Sequence, residues 1–350
     1  MQELIRKYKW ILIIPLLFIL VGLGGIYAVY NFPRKLPAGQ VTLKIPPGSS
    51  LQAISDSLYN RGVIRNPEFF RFVVQARGLE TSLQAGVFKI RSKSSYHHLL
   101  YVLTHSRPQV IEVTVVEGLR AAEIAGLMED HFRFDSTQFM SLAEDSVFTA
   151  ELGVPSSSLE GFLFPDTYKF FANESAESVI RKMVEQFFAV IPDSFYTRAS
   201  NMGWSMKKVV TMASIIEGEA VFDNERGKIS SVYHNRLEKG MRLQADPTIQ
   251  YIINGAPRRL LNKDLEIDSP YNTYLHRGLP PGPINNPGFE SIKAALYPAD
   301  TQYLYFVARG DGYHTFSRTN REHIQAKQHL QELRRQVYLE RKRANRENSL

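Results

Sequence analysis

Residues 41–64 read VTLKIPPGSSLQAISDSLYNRGVI, and a change of period inside this stretch decides the fold class. Val41, Leu43 and Ile45 alternate with polar positions as a half-buried strand requires. Pro46, Pro47 and Gly48 then force a turn, after which Leu51, Ile54 and Leu58 recur at helical spacing. Asn66 followed by Pro67 predicts the N-cap and first position of a second helix, and AGVFKI at 85–90 returns as a short strand. Strand, helix, helix and strand in succession make this an α+β chain.

The arrangement recurs at 113–128, VTVVEGLRAAEIAGLM, where Gly118, Ile124 and Met128 stand as Gly48, Ile54 and Leu58 stood. A strand-helix-helix-strand module with a glycine turn resembles the LysM carbohydrate-binding domains, so LysM-like modules are expected over 41–132. A small α+β packing domain that binds nothing would show the same pattern.

N-terminal to this region, WILIIPLLFILVGLGGIYAVY (Trp10–Tyr30) is uncharged and long enough to cross a bilayer as a helix. It exceeds a signal-peptide core and no small-x-small cleavage site follows, so an uncleaved anchor is expected. Residues 1–9, with Arg6, Lys7 and Lys9, then form a cytoplasmic tail. Pro33, Pro37 and Gly39 make 31–40 a linker, and all that follows faces outward.

The 350 residues are 44% hydrophobic, which excludes a disordered scaffold. Much of the net charge of +7 sits in RRQVYLERKRANREN at 334–348, where both signs mix on a solvated helix, so no nucleic-acid partner is expected. The absence of cysteine excludes disulfides, thiolate metal sites and a cysteine nucleophile.

Residues 133–203 read as a mainly helical connector containing LEGFLFPDTYKFF at 159–171. Phe162, Phe164, Tyr168 and Phe170 suit a core, and equally the apolar faces of a sugar. The catalytic region is placed at 204–350. There a helix through KKVVTMASIIEGEA leads to a second, NERGKISSVYHNRLEKG, capped by Gly240. MRLQ at 241–244 alternates like a strand, and Asp246 with Pro247 reads as the N-cap and first position of a helix through TIQYIIN. YNTYLHRGLPPGPINNPG at 271–288 is a loop long enough to be functional.

Around the first of these helices, Val209, Met212, Ala213, Ile216 and Ala220 form a buried stripe, with Glu217 and Glu219 at its two edges. Glu219 shares its flank with Met212 and Ile215, whereas Glu217 adjoins Val210 and Ser214. The more apolar flank raises the pKa of Glu219 further, as a general acid working near neutral pH requires. The competing role for either glutamate is an ion pair with Arg226, Arg236 or Arg242. The sequence has no H-E-x-x-H or G-x-S-x-G, and His97, His98, His234, His276 and His314 show no ligand spacing, so neither a metal nor another cofactor is expected.

ASIIEGEA (213–220), ERGKISSVYHNRLEKGMRLQADPTIQY (225–251), the 271–288 loop and YLYFVARGDGYHTFS (303–317) resemble the endolytic murein transglycosylases of bacteria, the MltG or YceG-like family. Anchor, LysM-like module, EGFLFPDTY and catalytic region follow the family's order. The second glutamate of the family's E-x-E motif carries over to Glu219, with Glu217 the secondary candidate, while Gly218 departs from the lysine between them.

The resemblance implies cleavage between N-acetylmuramic acid and N-acetylglucosamine to leave a 1,6-anhydromuramyl end. It implies a bacterial inner-membrane enzyme with an extracytoplasmic catalytic domain, limiting nascent strand length beside glycan-polymerising complexes. Gln244, Asn272, Tyr274 and Asn286 are candidates to hold sugar hydroxyls or amides, as is Asp246 beside its capping role. A water-using muramidase and a non-catalytic peptidoglycan-binding scaffold are the alternatives.

Overall fold

The computed structural model describes residues 2–32, 40–46, 48–91, 94–105, 110–171, 174–253 and 258–347. The fold is α+β, and the chain divides into two compact units, 1–111 with 169–173, and 112–168 with 174–350.

The first unit begins with α1 (Gln2–Asn31), whose segment Ile14–Asn31 has a mean hydropathy of 1.8 and is long and apolar enough to span a membrane. None of that segment is buried against protein. The expected linker lies almost wholly outside the described residues. β1 (Gln40–Ile45), α2 (Leu51–Asn60), α3 (Pro67–Ala76) and β2 (Gly86–Arg91) then follow in the expected order, with α4 (Tyr96–His105) after them. Ser50 caps α2 by accepting from Ala53 N at 3.1 Å, and Asn66 caps α3 by accepting from Phe69 N at 3.0 Å. β1 and β2 pair antiparallel with Leu43 opposite Phe88. That register turns both side chains inward onto Leu58, Phe70 and Ile90, all buried.

Further along the chain β3 (Val110–Thr114), α5 (Ala121–Glu129), α6 (Ser136–Ala143), α7 (Ser146–Glu151) and β4 (Thr167–Phe171) repeat that order with one extra short helix, and β3 pairs with β4. Gly118 and Gly48 both adopt positive φ, +81° and +74°, and Ile124 and Met128 are buried like Ile54 and Leu58. Phe162, Phe164, Tyr168 and Phe170 are all core.

α8 (Ala176–Val190) and α9 (Asp193–Asn201) lead to α10 (Met206–Glu219), α11 (Asp223–Glu238) and α12 (Asp246–Ile252). α13 (Phe289–Leu296), the antiparallel hairpin β5 (Tyr305–Ala308) and β6 (His314–Ser317), and α14 (Asn320–Glu347) complete the second unit. Every residue of α10 from Val209 to Ile216 is buried, so the middle of this helix lies inside the unit and only its ends, at Lys208 and Gly218, are exposed. The one-sided stripe expected from its sequence is therefore replaced by burial all round.

Two local expectations change. MRLQ forms no strand: Leu243 is fully buried and its carbonyl accepts from Arg236 Nη1 at 2.6 Å, while Gln244 takes a φ of +50° that no strand contains. Asp246 is not an N-cap but the first residue of α12, with Pro247 second and Ala245 as N-cap.

Candidate active site

Glu219 is the last residue of α10, where the helix ends and its side chain leaves the core. Its Oε1 accepts from the Tyr233 hydroxyl of α11 at 2.8 Å, and the Asp246 backbone N–H at the start of α12 gives its carboxylate a smaller favourable contribution. Removal from water raises its pKa to about 7, with the Asp246 charge adding to the rise, while the Tyr233 hydrogen bond and Arg236 oppose it. Burial also lifts the Tyr233 phenol well above its usual value, so this hydroxyl remains a donor. The site thus holds a carboxyl group able to give and regain a proton near neutral pH.

Glu219 and Asp246 are shared by the walls of two cavities. The first, of about 410 Å³, is also lined by Tyr233, Arg236, Gln244 and Tyr274. Phe306 of the hairpin and His323 and Lys327 of α14 close its other side. The second, of about 440 Å³, is lined by Glu117, Arg120, Glu123, Gly218 and Asn285. A chain of sugars lying across Glu219 would place one neighbour of the reacting bond in each.

Glu217 faces elsewhere. Its Oε1 accepts from Arg226 Nη1 at 3.0 Å and its Oε2 from Gly288 N at 3.0 Å. Arg226 also binds Asp223 at 2.9 Å and lies 3.6 Å from Glu117. The ion pair weighed against catalysis from sequence is therefore present at Glu217, whereas Glu219 meets a tyrosine.

Gly218 keeps α10 close to α12: a Cβ there would lie 2.6 Å from Pro247 Cβ. The glycine thus admits the helix that carries Asp246.

Of the residues named from sequence, Glu219, Gln244, Asp246 and Tyr274 come together, and the Tyr274 hydroxyl donates to Asp246 Oδ1. Asn272 and Asn286 do not join them. Asn272 is fully buried, donating to Leu265 O at 3.0 Å and Ile267 O at 2.8 Å and accepting from Tyr274 N. Asn286, equally buried, accepts from Leu163 N and donates to Leu119 O and Glu160 Oε1. Their amides bond backbone and, for Asn286, the Glu160 side chain, and neither residue lines the two cavities.

Tyr233 and Arg236 join the site although neither is among the candidates read from sequence to act on the sugar. Their i, i+3 spacing on α11 places both on one face, which is the signal that finds them.

The YceG-like family model matches residues 43–329. The chain is 36% identical over 304 residues to the endolytic murein transglycosylase of Bacillus subtilis, covering 82% of this chain and 84% of that one. It is 28% identical over 299 residues to the endolytic murein transglycosylase of Streptococcus pneumoniae serotype 2, covering 77% of this chain and 54% of that one. The crystal structure of a YceG-like protein from Listeria monocytogenes superposes with a TM-score of 0.56 at 33% identity, over 82% of this chain and 99% of that one.

Proposed function

The chain belongs to the YceG-like family and is a lytic transglycosylase of peptidoglycan, and from that premise we propose that Glu219 is its single acid and base. The observation that carries this reading is the position of Glu219 at the wall shared by two cavities, with its pKa lifted to about 7. As the acid, Glu219 gives its proton to the glycosidic oxygen between muramyl C1 and the leaving N-acetylglucosamine. An oxocarbenium-like centre develops at C1 as that bond breaks. The muramyl C6 hydroxyl attacks C1, and the Glu219 carboxylate takes its proton, leaving a 1,6-anhydro ring and a restored acid. No water enters, so one carboxyl group serves both steps.

Gln244 and Tyr274 are assigned to sugar positioning on the strength of their place in the first cavity. Asp246 supports a second reading, hydrolysis by a water-using muramidase, because a second carboxylate beside an acid is what activation of water calls for.

The apolar α1 supports a single-pass inner-membrane anchor, with residues 1–9 inside and the catalytic region outside. The strand-helix-helix-strand order within 41–132 supports LysM-like glycan binding, with 133–203 as connector and 204–350 as the catalytic part. An enzyme so tethered is placed to meet nascent strands beside glycan polymerases and to set their length.

Digestion of purified glycan strands, read by mass spectrometry, tests the reaction. Wild-type protein should give anhydromuramyl ends and Glu219→Gln should lose roughly 10²–10⁴-fold in rate. Reducing ends would establish the muramidase instead. Near-normal cleavage by Glu219→Gln together with a dead but folded Glu217→Gln would reverse the assignment.

A further inference from the structure

The two cavities that meet at Glu219 differ in charge. Glu219 and Asp246 line both, and the second adds Glu117 and Glu123 with Arg120 as the sole cation among its lining residues. The first adds instead a wall of Arg236, His323 and Lys327. Arg236 joins the two ends, because its charge is felt both by Glu219 and by His323, whereas Lys327 acts on His323.

This wall is short of negative partners. Arg236 spends Nε on Leu304 O and Nη1 on Leu243 O, both at 2.6 Å, and its Cζ lies 5.3 Å from the centre of the Tyr305 ring. Its Nη2 has no hydrogen bond among the described residues. His323 stacks on the same tyrosine with ring centres 5.1 Å apart, and its Nδ1 is enclosed without a partner. Neither His323 nor Lys327 is in an ion pair among the described residues. The adjacent Glu322 accepts instead from Arg318 N at 2.9 Å. Burial, Lys327 and Arg236 all lower the pKa of His323, which favours its neutral ring, so Arg236 and Lys327 are the two uncompensated cations, and with the unmatched His323 Nδ1 they form a site for an anion.

We propose that Arg236, His323 and Lys327 form a carboxylate subsite that seats the muramyl residue in the first cavity, so that the leaving N-acetylglucosamine occupies the second. The inference rests on the peptidoglycan reading above. Of the two alternating sugars only the muramyl residue carries acid groups, either the carboxyl of its lactyl ether or those of an attached peptide stem. The neutral sugar tolerates the carboxylates of Glu117 and Glu123, while a muramyl carboxylate there would meet like charge. The direction of the strand across Glu219 follows from this difference.

Binding is measured with the disaccharide N-acetylglucosaminyl-N-acetylmuramic acid, which lacks the scissile linkage, with its lactyl methyl ester, and with its peptide-bearing form. The full chain in detergent micelles is used. The free acid should bind several-fold more tightly than the ester. Lys327→Gln should bring their ratio close to one, a loss of roughly threefold to tenfold, and Lys327→Glu should invert it.

Dependence on Lys327 with the free acid assigns the lactyl carboxyl, and dependence with the peptide-bearing form alone assigns the stem; both support the subsite. Equal binding of acid and ester by wild-type protein, with no effect of either variant on any of the three probes, overturns it. Lys327 is exposed on α14, so folding of its variants is checked by circular dichroism against wild type. Anhydro-product formation by the wild-type chain is scored separately: cleavage without Lys327 dependence sinks the subsite alone, and Lys327-dependent binding without cleavage sinks the reaction alone.

Discussion

Tyr233 donates a 2.8 Å hydrogen bond to Glu219 Oε1, linking the third turn of α11 to the last residue of α10. The bond favours the carboxylate and so holds the pKa of Glu219 below the level that burial alone would set. Tyr233→Phe keeps the ring, which packs edge-on against Phe306 at 5.8 Å, and removes the donor. The alkaline limb of the pH–rate profile, set by loss of the Glu219 proton, should move to higher pH. Turnover at neutral pH should fall roughly tenfold. A limb that stays in place or moves down would show that Tyr233 does not tune the acid.

Glu217 sets a contrasting expectation, because its carboxylate and Arg226 are both nearly enclosed, with side chains 6% and 7% exposed. Breaking such a pair leaves a cation short of a partner, at a cost of about 3 kcal/mol, the low end for buried pairs because Asp223 still binds Arg226. Glu217→Gln should therefore lower the melting temperature while the folded fraction keeps turnover within tenfold of wild type. Thermal unfolding paired with product assays separates the two effects.

The features legible in the sequence are those with local causes. Asn66 and Pro67 start α3, Gly48 turns β1 into α2, and Gly240 follows α11, because caps and turns are set within a few residues. MRLQ misleads because alternation is necessary for a strand but a partner is also needed, and here Arg236 takes the Leu243 carbonyl instead. Asn272 and Asn286 look like sugar ligands because they lie in a polar loop. Asn272 instead bonds backbone next to and within its own loop, and Asn286 ties that loop to Leu119, Glu160 and Leu163. The difference between Glu217 and Glu219 is set chiefly by α11, which offers Arg226 to one and Tyr233 to the other, so it depends on packing between helices.

Glu160 is a second enclosed carboxyl group with a raised pKa, apart from Glu219. It accepts from Ala121 N and from Asn286 Nδ2, both at 3.0 Å, and burial raises its pKa to about 7. A carboxyl group whose folded pKa lies above its ordinary 4.5 binds protons more tightly when folded. Its contribution to stability is full below about 4.5 and is lost as pH rises through about 7. Glu160→Gln keeps an acceptor oxygen for both donors but has no charge to bury. The fall in wild-type stability between pH 5 and pH 8 should shrink in this variant by as much as about 3 kcal/mol. Denaturant titrations at the two pH values measure it, and an unchanged fall would mean that Glu160 titrates as an ordinary carboxylate.

Gly218 and Gly227 invite the same substitution with opposite outcomes. A Cβ at Gly218 would lie 2.6 Å from Pro247 Cβ and 2.8 Å from its Cγ, and the proline ring is held at the second position of α12. Gly218→Ala must push the start of α12 away, which should cost about 1–3 kcal/mol. It should also draw Asp246 off Glu219, and because the Asp246 charge raises the Glu219 pKa more than its amide lowers it, the alkaline limb of the rate profile moves down as turnover falls. At Gly227, inside α11, the nearest atoms to a new Cβ are those of Ala299 at 3.7 Å, an ordinary contact. There alanine should instead stabilise by roughly 0.5–1 kcal/mol through helix propensity and leave the pH profile unchanged. Chemical denaturation and pH–rate curves for the two variants provide the comparison. If Gly218→Ala behaves like Gly227→Ala, the close approach of α12 does not position Glu219.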